Sequence, residues 1–575
     1  MRKQTKVVAV ASAAALLAIG ASMTSFAATG WVEEDGQWYF YDKDGNRVED
    51  EWKKSGDNWY WLDSEEGGAM AVDKLIEDDE DYYYVDGNGV MVTNTWVKVV
   101  NEDQDDDDDP AEYHYYYMQS NGKAYKGDGT SVSKKTIDGK RYAFDDEGRM
   151  LYGWVTADGT MVNDDDGWNT SDVLYYFGGW EDGSMKTGWQ KITVHDNEDG
   201  KDDDYDYWFN FKSNGHRRAH ANADDTWKSN SRYYHFDERG VMVYQWFETA
   251  TTNSASASNW AYFSSPEDGA RVTKGWFKVV APTEDNSFLE SDVTFAKKDS
   301  DDESERWYYS DSKDNGLVVG EIKKIKGKYY GFWPDDGQKG GRMLVGLCAL
   351  QMNEADGSKI DKVVVADMDS DDLDDFMDTY GTKSQEETGI YLYYFGDGED
   401  GSMKTGSVSL NLDGDSYQFQ FKKTGAADSR GRGVNGVDDG KYIYKYGQKV
   451  KADTDDKYTL VYANGNVNDS NVVVEDFDNS DIKGIAKTFD LAAKKGSDED
   501  NLRGYCGFGT AQEGWYLVNT SGRIQTGTKS GTKDGYDMYW FMYKDNIKFY
   551  ADDKNISDYD ELKGDGWHSY FDNLK

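Results

Sequence analysis

GWVEEDGQWYFYDKDGNRVEDEW, residues 30–52, sets the pattern from which the rest of the chain is read. A Gly-Trp pair, Gly30-Trp31, enters a polar turn, and the aromatic run Trp38-Tyr39-Phe40-Tyr41 leaves it. A second turn, Asp42-Lys43-Asp44-Gly45, leads on to Trp52, where the unit starts again with Trp59-Tyr60-Trp61. Further rings recur at Tyr82–Tyr84, Tyr175–Phe177, Trp307–Tyr309 and Tyr393–Phe395, and Trp154, Trp189 and Trp276 each follow a glycine. Early units begin at Trp31, Trp52, Leu75 and Trp96, a period of about 20 residues. Each unit reads as a hairpin whose rings alternate between the two faces. A lone hairpin is marginal in water, so neighbours must stack and bury one another's rings. The expected fold is all-β, a β-solenoid of stacked aromatic β-hairpins with acidic loop insertions. Such a stack offers a binding surface rather than a catalytic cleft.

The pairs Trp31 and Trp38, Trp52 and Trp59, Leu75 and Tyr82, Trp227 and Tyr234, and Ile322 and Tyr329 have the same spacing. A two- or four-residue turn between them is expected to set each pair directly opposite on one face. Elsewhere the unit lengthens through acidic runs at Asp105–Asp109, Asp164–Asp166 and Asp202–Asp204, read as elongated hairpin tips or solvent loops. LYYFGGWEDGSMKTGW (Leu174–Trp189) returns as LYYFGDGEDGSMKTGS (Leu392–Ser407), so the repeat resumes late in the chain. Residues 347–391 and 448–512 lose the pattern and read as degenerate repeats with insertions, with one short helix around Ile485–Lys495. The expected organisation is a leader at 1–27, hairpin repeats at 28–346, an inserted segment at 347–391 and divergent repeats at 392–575.

Arg2, Lys3 and Lys6 precede an apolar run from Val7 to Ala21 and the small-residue site Ser25-Phe26-Ala27. This order is that of a secretory signal, and its loss takes the net charge from −46 to about −49. The end, HSYFDNLK, carries no hydrophobic tail, so retention on a cell is expected to fall to the repeats. With 110 acidic against 64 basic residues, nucleic acid and anionic lipid are poor partners, whereas cations are permitted. High charge would ordinarily suggest disorder, but 15% aromatic residues supply a core made of rings. Cys348 and Cys506 could bridge in an oxidising compartment. Stacked hairpins would keep them apart, and two separate core thiols are expected.

The pattern Gly-Trp, turn, Trp-Tyr-Tyr/Phe, turn, Gly-x-Met resembles the choline-binding and cell-wall-binding repeats of Gram-positive surface proteins. Related repeats are those of glucan-binding proteins and clostridial toxin receptor-binding regions. The clearest matches are Gly30-Trp31, Trp38–Phe40, Gly153-Trp154, Gly183-Ser184-Met185, Gly188-Trp189, Gly275-Trp276 and Gly401-Ser402-Met403. The resemblance implies ligand sites where two rings of one hairpin meet a ring of the next. Carried over by position, the first aromatic cage is Trp31, Trp38 and Trp59 or Tyr60. The second is Trp52, Trp59 and Tyr82, and the third is Trp227, Tyr234 and Tyr262. Ring faces attract a quaternary ammonium or stack on a sugar.

No HExxH, GxSxG, CxxC or phosphate-loop pattern occurs in the chain. His216 and His220 lie in a turn-and-strand context, and no metal centre is expected there. Asp367, Asp369 and Asp371 alternate as in a calcium loop. However, Asp372 stands where the sharp turn needs glycine, and Asp378 replaces the bidentate glutamate. No cofactor is expected beyond weak calcium binding by acidic loops. The leading expectation is a secreted, non-catalytic cell-surface protein attached to cell-wall polymer, with teichoic acid choline or a glycan as partner. The alternatives are a carbohydrate-binding adhesin or toxin-like receptor-binding module, and a wall hydrolase with a cryptic catalytic region.

Overall fold

The computed structural model describes residues 29–104, 110–165, 167–197, 202–220, 226–248, 260–281, 304–311, 316–335, 340–425, 429–492 and 501–573. The expected leader and the run Asp105–Asp109 lie outside these residues. The chain divides into two compact units, Met1–Tyr244 with Ser265–Ala270, and Gln245–Ser264 with Arg271–Lys575. Both are built mainly of small antiparallel sheets, most of them two or three strands wide.

Two-residue loops set the hairpin registers. In the first hairpin Gly30–Glu34 pairs with Gln37–Tyr41 around Asp35-Gly36, whose φ values are 52° and 82°. Positive φ at both loop positions matches the right-handed twist of the flanking strands, and Asp-Gly adopts it readily. The same loop closes the hairpins at Asp138-Gly139 and Asp413-Gly414. Trp31 therefore faces Phe40, with Trp38 two residues nearer the loop and opposite Glu33. Likewise Trp52 faces Trp61, Leu75 faces Tyr84 and Ile322 faces Gly331. The expected direct pairing holds only for Trp227 and Tyr234, whose loop is Asn230-Ser231. A loop centred one residue later moves each partner by two, which keeps the face and changes the neighbour.

The Gly-x-Met motif makes the step from one hairpin to the next. After a hairpin closes, the amide of the motif's third residue donates to a carbonyl in the preceding hairpin. Met91 reaches Trp59 O at 2.9 Å, and Met150 reaches Tyr115 O at 2.8 Å. Met242 reaches Trp208 O, Met343 reaches Trp307 O and Met403 reaches Tyr329 O, each at 2.8 Å. The methionine then fills the place a β-carbon would take on the next motif's glycine. Such an atom on Gly183 would lie 2.2 Å from Met150 Sδ, and on Gly431 it would lie 2.2 Å from Met403 Sδ. Hydrophobic contact is accordingly split into small clusters between consecutive hairpins, such as Trp61, Ala71, Ile76 and Val85 with Trp52 and Tyr83.

Residues 347–391 begin as one strand of a repeat and carry an insertion. Leu347–Met352 pairs with Ile390–Tyr394, and between them lie a strand, Ile360–Val365, and a helix, Ser370–Tyr380. Leu373 and Phe376 turn the helix onto Leu347, Ala349, Leu392 and Phe419. Asp369, one of the alternating carboxylates, caps this helix by accepting from the Asp372 amide, so the calcium-loop pattern is used as a helix start. Tyr458–Ala463 pairs in the same way with Trp515–Asn519 across a longer insertion. There the expected helix around Ile485–Lys495 is corrected. A single turn spans Ile482–Ile485, and Lys487–Leu491 is a strand paired with Leu502–Cys506. Cys348 and Cys506 are both free and buried.

Candidate functional site

The ring contacts at Trp31, Trp52, Trp96 and Trp276 follow one rule, whereas Trp189 faces Asn210 across its sheet. The first-strand tryptophan of a hairpin touches the ring across its own sheet and a ring from the following hairpin. Trp31 meets Phe40 at 5.5 Å and Tyr60 at 5.2 Å between centroids, both edge to face. Trp52 meets Trp61 at 5.3 Å and Tyr83 at 5.1 Å. Trp96 meets Tyr117 at 5.3 Å and Tyr142 at 4.9 Å, and Trp276 meets Tyr309 at 5.1 Å and Tyr330 at 4.7 Å. Trp189 meets Tyr234 at 5.0 Å and stands nearly perpendicular to Trp208 at 6.3 Å. These geometries present ring edges to neighbouring faces, the arrangement aromatic quadrupoles prefer.

The structure redraws the three cages expected by position. In the first, Trp31 and Tyr60 come together, whereas the sequence reading missed Phe40. Trp38 shares Trp31's face one step toward the loop. Trp59 is 40% exposed and stands opposite Lys54, whose Nζ is 5.8 Å from its ring. In the second, Trp52 takes Trp61 and Tyr83 in place of Trp59 and Tyr82. Strand alternation sends Tyr83 toward Trp52, and Tyr82 toward the cluster of Leu75 and Tyr116. In the third, Trp227 and Tyr234 pack with Trp189, while Tyr262 belongs to the other unit and packs with Trp246 and Phe277. The Arg218 guanidinium covers the Trp227 ring at 4.2 Å. The Trp96, Trp189 and Trp276 sites went unrecognised because long insertions separate their strands. The two strands at Trp189, for instance, are nine residues each.

Burial sorts these sites. Trp154 and Trp246 are 8% and 4% exposed and act as core. Trp31, Trp52, Trp96, Trp189 and Trp276 are half-buried, so each keeps part of its ring for solvent or ligand. Burial also raises the phenol pKa of Tyr83, Tyr142 and Tyr262, so these rings are neutral around pH 7. His216 hydrogen-bonds the Tyr175 hydroxyl at 2.8 Å, and His220 lies 3.3 Å from His235 between their Nδ1 atoms. Among the described residues no group of three or more His, Cys, Asp or Glu side chains stands ready to hold a metal ion.

Residues 28–74 match the family model of the choline-binding repeat. The chain carries that repeat. The match spans the Trp31 site, with Phe40 and Tyr60, and two rings of the next, Trp52 and Trp61. Among solved structures, the chain is similar to the modular autolysin LytC from Streptococcus pneumoniae in complex with a synthetic peptidoglycan ligand. That similarity is 16% identity over 58% of this chain and 57% of the autolysin, with a TM-score of 0.28. The choline-binding domain of CbpL from the same organism is 21% identical over 43% of this chain and 100% of its own, with a TM-score of 0.25. CbpJ, also from Streptococcus pneumoniae, is 19% identical over 73% of this chain and 99% of its own, with a TM-score of 0.27. No curated protein matches the chain.

Proposed function

We propose that this is a secreted, non-catalytic protein that attaches to cell-wall polymer through its half-buried ring sites, with choline as the moiety recognised. The observation that carries the reading is the repeated triad, a first-strand tryptophan with one ring of its own hairpin and one of the next. It occurs within the matched choline-binding repeat and again at Trp96 and Trp276. In this reading the hairpins of each unit wind as a β-solenoid, which brings the sites into series.

A ring face attracts an ammonium group by about 0.5–1 kcal/mol when exposed and about 2 kcal/mol when desolvated. One site is therefore weak, and attachment comes from many sites on one chain acting at once. A net charge of −46 favours cationic over anionic ligand groups at long range. Weak calcium binding by the acidic loops belongs to the same reading. Titration of the protein with choline and with glucan oligomers, followed by tryptophan fluorescence, tests it. Saturable quenching by choline is expected, and a response to glucan alone would replace choline with a glycan ligand.

A further inference from the structure

Glu-Asp-Gly follows the closing strand of three hairpins, at Glu181–Gly183, Glu267–Gly269 and Glu399–Gly401. Each of its residues has a separate partner. The glycine lies over a methionine, Met150, Met242 or Met343. The aspartate pairs with a base that opens the second strand of the hairpin before. Asp182 lies 3.3 Å from Lys140, Asp268 2.5 Å from Arg232 and Asp400 3.0 Å from Lys328. In the later two copies the glutamate reaches one hairpin further back. Glu267 accepts from Lys191 Nζ at 2.9 Å and from Trp208 Nε1 at 3.1 Å. Glu399 accepts from Lys278 Nζ at 2.9 Å. In the first copy Tyr115 replaces the indole, and Lys98 lies over Tyr113 instead, at 4.1 Å.

The two lysines have equivalent places. Lys191 faces Trp208 and Lys278 faces Trp307, each two residues along from the first-strand tryptophan and on its face. The indoles there stand at right angles, Trp189 with Trp208 at 84° and Trp276 with Trp307 at 90°. Trp307 Nε1 is buried beside the Glu399 carboxylate. Trp307 and Trp333 line a cavity of about 620 Å³, within the usual small-ligand range of about 300–1,000 Å³, together with the bases Lys278, Arg306 and Arg342 and the acids Glu305, Asp367 and Glu399. Each site thus combines a perpendicular indole pair, an exposed carboxylate and a lysine held by that carboxylate. Rings alone serve a neutral sugar face and a cation alike, whereas a carboxylate at the rim adds a charge–charge attraction that only the cation receives. The lysine stem is flexible and its ion pair is exposed, so exchanging it for another cation costs little.

We infer that Glu267 and Glu399 are specificity-determining residues, each supplying the counter-charge for an organic cation seated against the indole pair. Lys191 and Lys278 occupy that place until the ligand takes it. The inference rests on the reading of the ring sites as cation sites and adds the carboxylate that makes two of them selective.

The test uses the full chain labelled with fluorotryptophan, so that fluorine NMR reads Trp208, Trp307 and Trp31 separately. The probes are choline and its uncharged carbon isostere, dimethylbutanol. In the Glu267→Gln/Glu399→Gln variant the choline Kd at Trp208 and Trp307 is expected to rise about 1.5- to fivefold, the range for an exposed ion pair. The Kd at Trp31 and binding of the isostere stay as in the wild type. The Lys191→Met/Lys278→Met variant tightens choline at the same two indoles. An unchanged choline Kd at those indoles, or equal shifts for choline and the isostere, would overturn the inference. A wild-type chain in which no indole responds to choline refutes the cation reading itself, and this inference with it.

Discussion

Substituting Gly401 by alanine tests the stacking step at a single atom. Gly401 has φ +54°, and a β-carbon there would lie 2.2 Å from Met343 Cε and 2.3 Å from Sδ. Two costs follow. Left-handed backbone costs a non-glycine residue about 1–2 kcal/mol. Crowding a packed site costs about 1–3 kcal/mol, and here the low end applies because the atoms met are the movable end of a methionine. The expected total is about 2–3 kcal/mol. Gly414 in the same unit separates the two, since it has φ +102° with nothing within 4 Å of its β-carbon position. Gly414→Ala should therefore show the backbone cost alone. A repeat protein of this size does not unfold as one transition, so a local measurement is required. Hydrogen exchange of peptides covering the Met403 amide, which donates to Tyr329 O at 2.8 Å, reports opening at this step. Each 1.4 kcal/mol is tenfold in exchange, so Gly401→Ala should accelerate it about thirtyfold or more. The double variant Met343→Ala/Gly401→Ala should recover the crowding part and leave the backbone part. If Gly401→Ala opens its site no more than Gly414→Ala opens its own, or if Met343→Ala relieves nothing, the Gly-Met contact is not what joins the hairpins.

Three further outcomes are expected. Trp246→Ala should destabilise its unit by about 3–5 kcal/mol without reducing choline binding per folded molecule, whereas Trp276→Ala should remove one site. Hydrogen exchange of peptides around Trp246 beside ligand titration separates them, and equal loss of binding in both would refute the division into core and site rings. Lys404 and Ser402, with Lys328 adding, hold the Asp400 carboxyl well below the usual range. A depressed carboxyl stabilises the fold above its unfolded pKa, near ~4, and loses that contribution as pH falls through the lower folded value. Asp400→Asn should therefore cost about 0.5–1 kcal/mol at neutral pH and nothing in strong acid, and a pH-independent difference in local hydrogen-exchange protection around Met403 would count against the pairing. Burial pushes the Cys348 thiol up to about 12, so it should resist an aromatic disulfide reagent in the native protein and react on denaturation. Rapid native labelling of Cys348 would contradict the packing around it.

The hairpins and the repeated ring runs are legible from residues 30–52 outward, because alternation and turn polarity act over a few residues. The resemblance to choline-binding repeats was equally local, and residues 28–74 carry it. What spacing misread was partner choice. Equal spacing from tryptophan to ring placed Trp38 across from Trp31, but the Asp35-Gly36 loop centres one residue later and delivers Phe40. Strand alternation, which sends adjacent residues to opposite faces, brings Tyr83 rather than Tyr82 to Trp52.

Sequence by itself determined the type of element, the aromatic core and the glycine positions, each an outcome of short-range sterics and polarity. Only the tertiary structure decided which rings meet and that Leu347–Met352 closes with Ile390–Tyr394 across an inserted helix. It also decided that Glu267 reaches back to Trp208. The physical reason is that these contacts join residues tens of positions apart. Their choice follows from register and from the step between hairpins, and neither leaves a mark on the residues that finally touch.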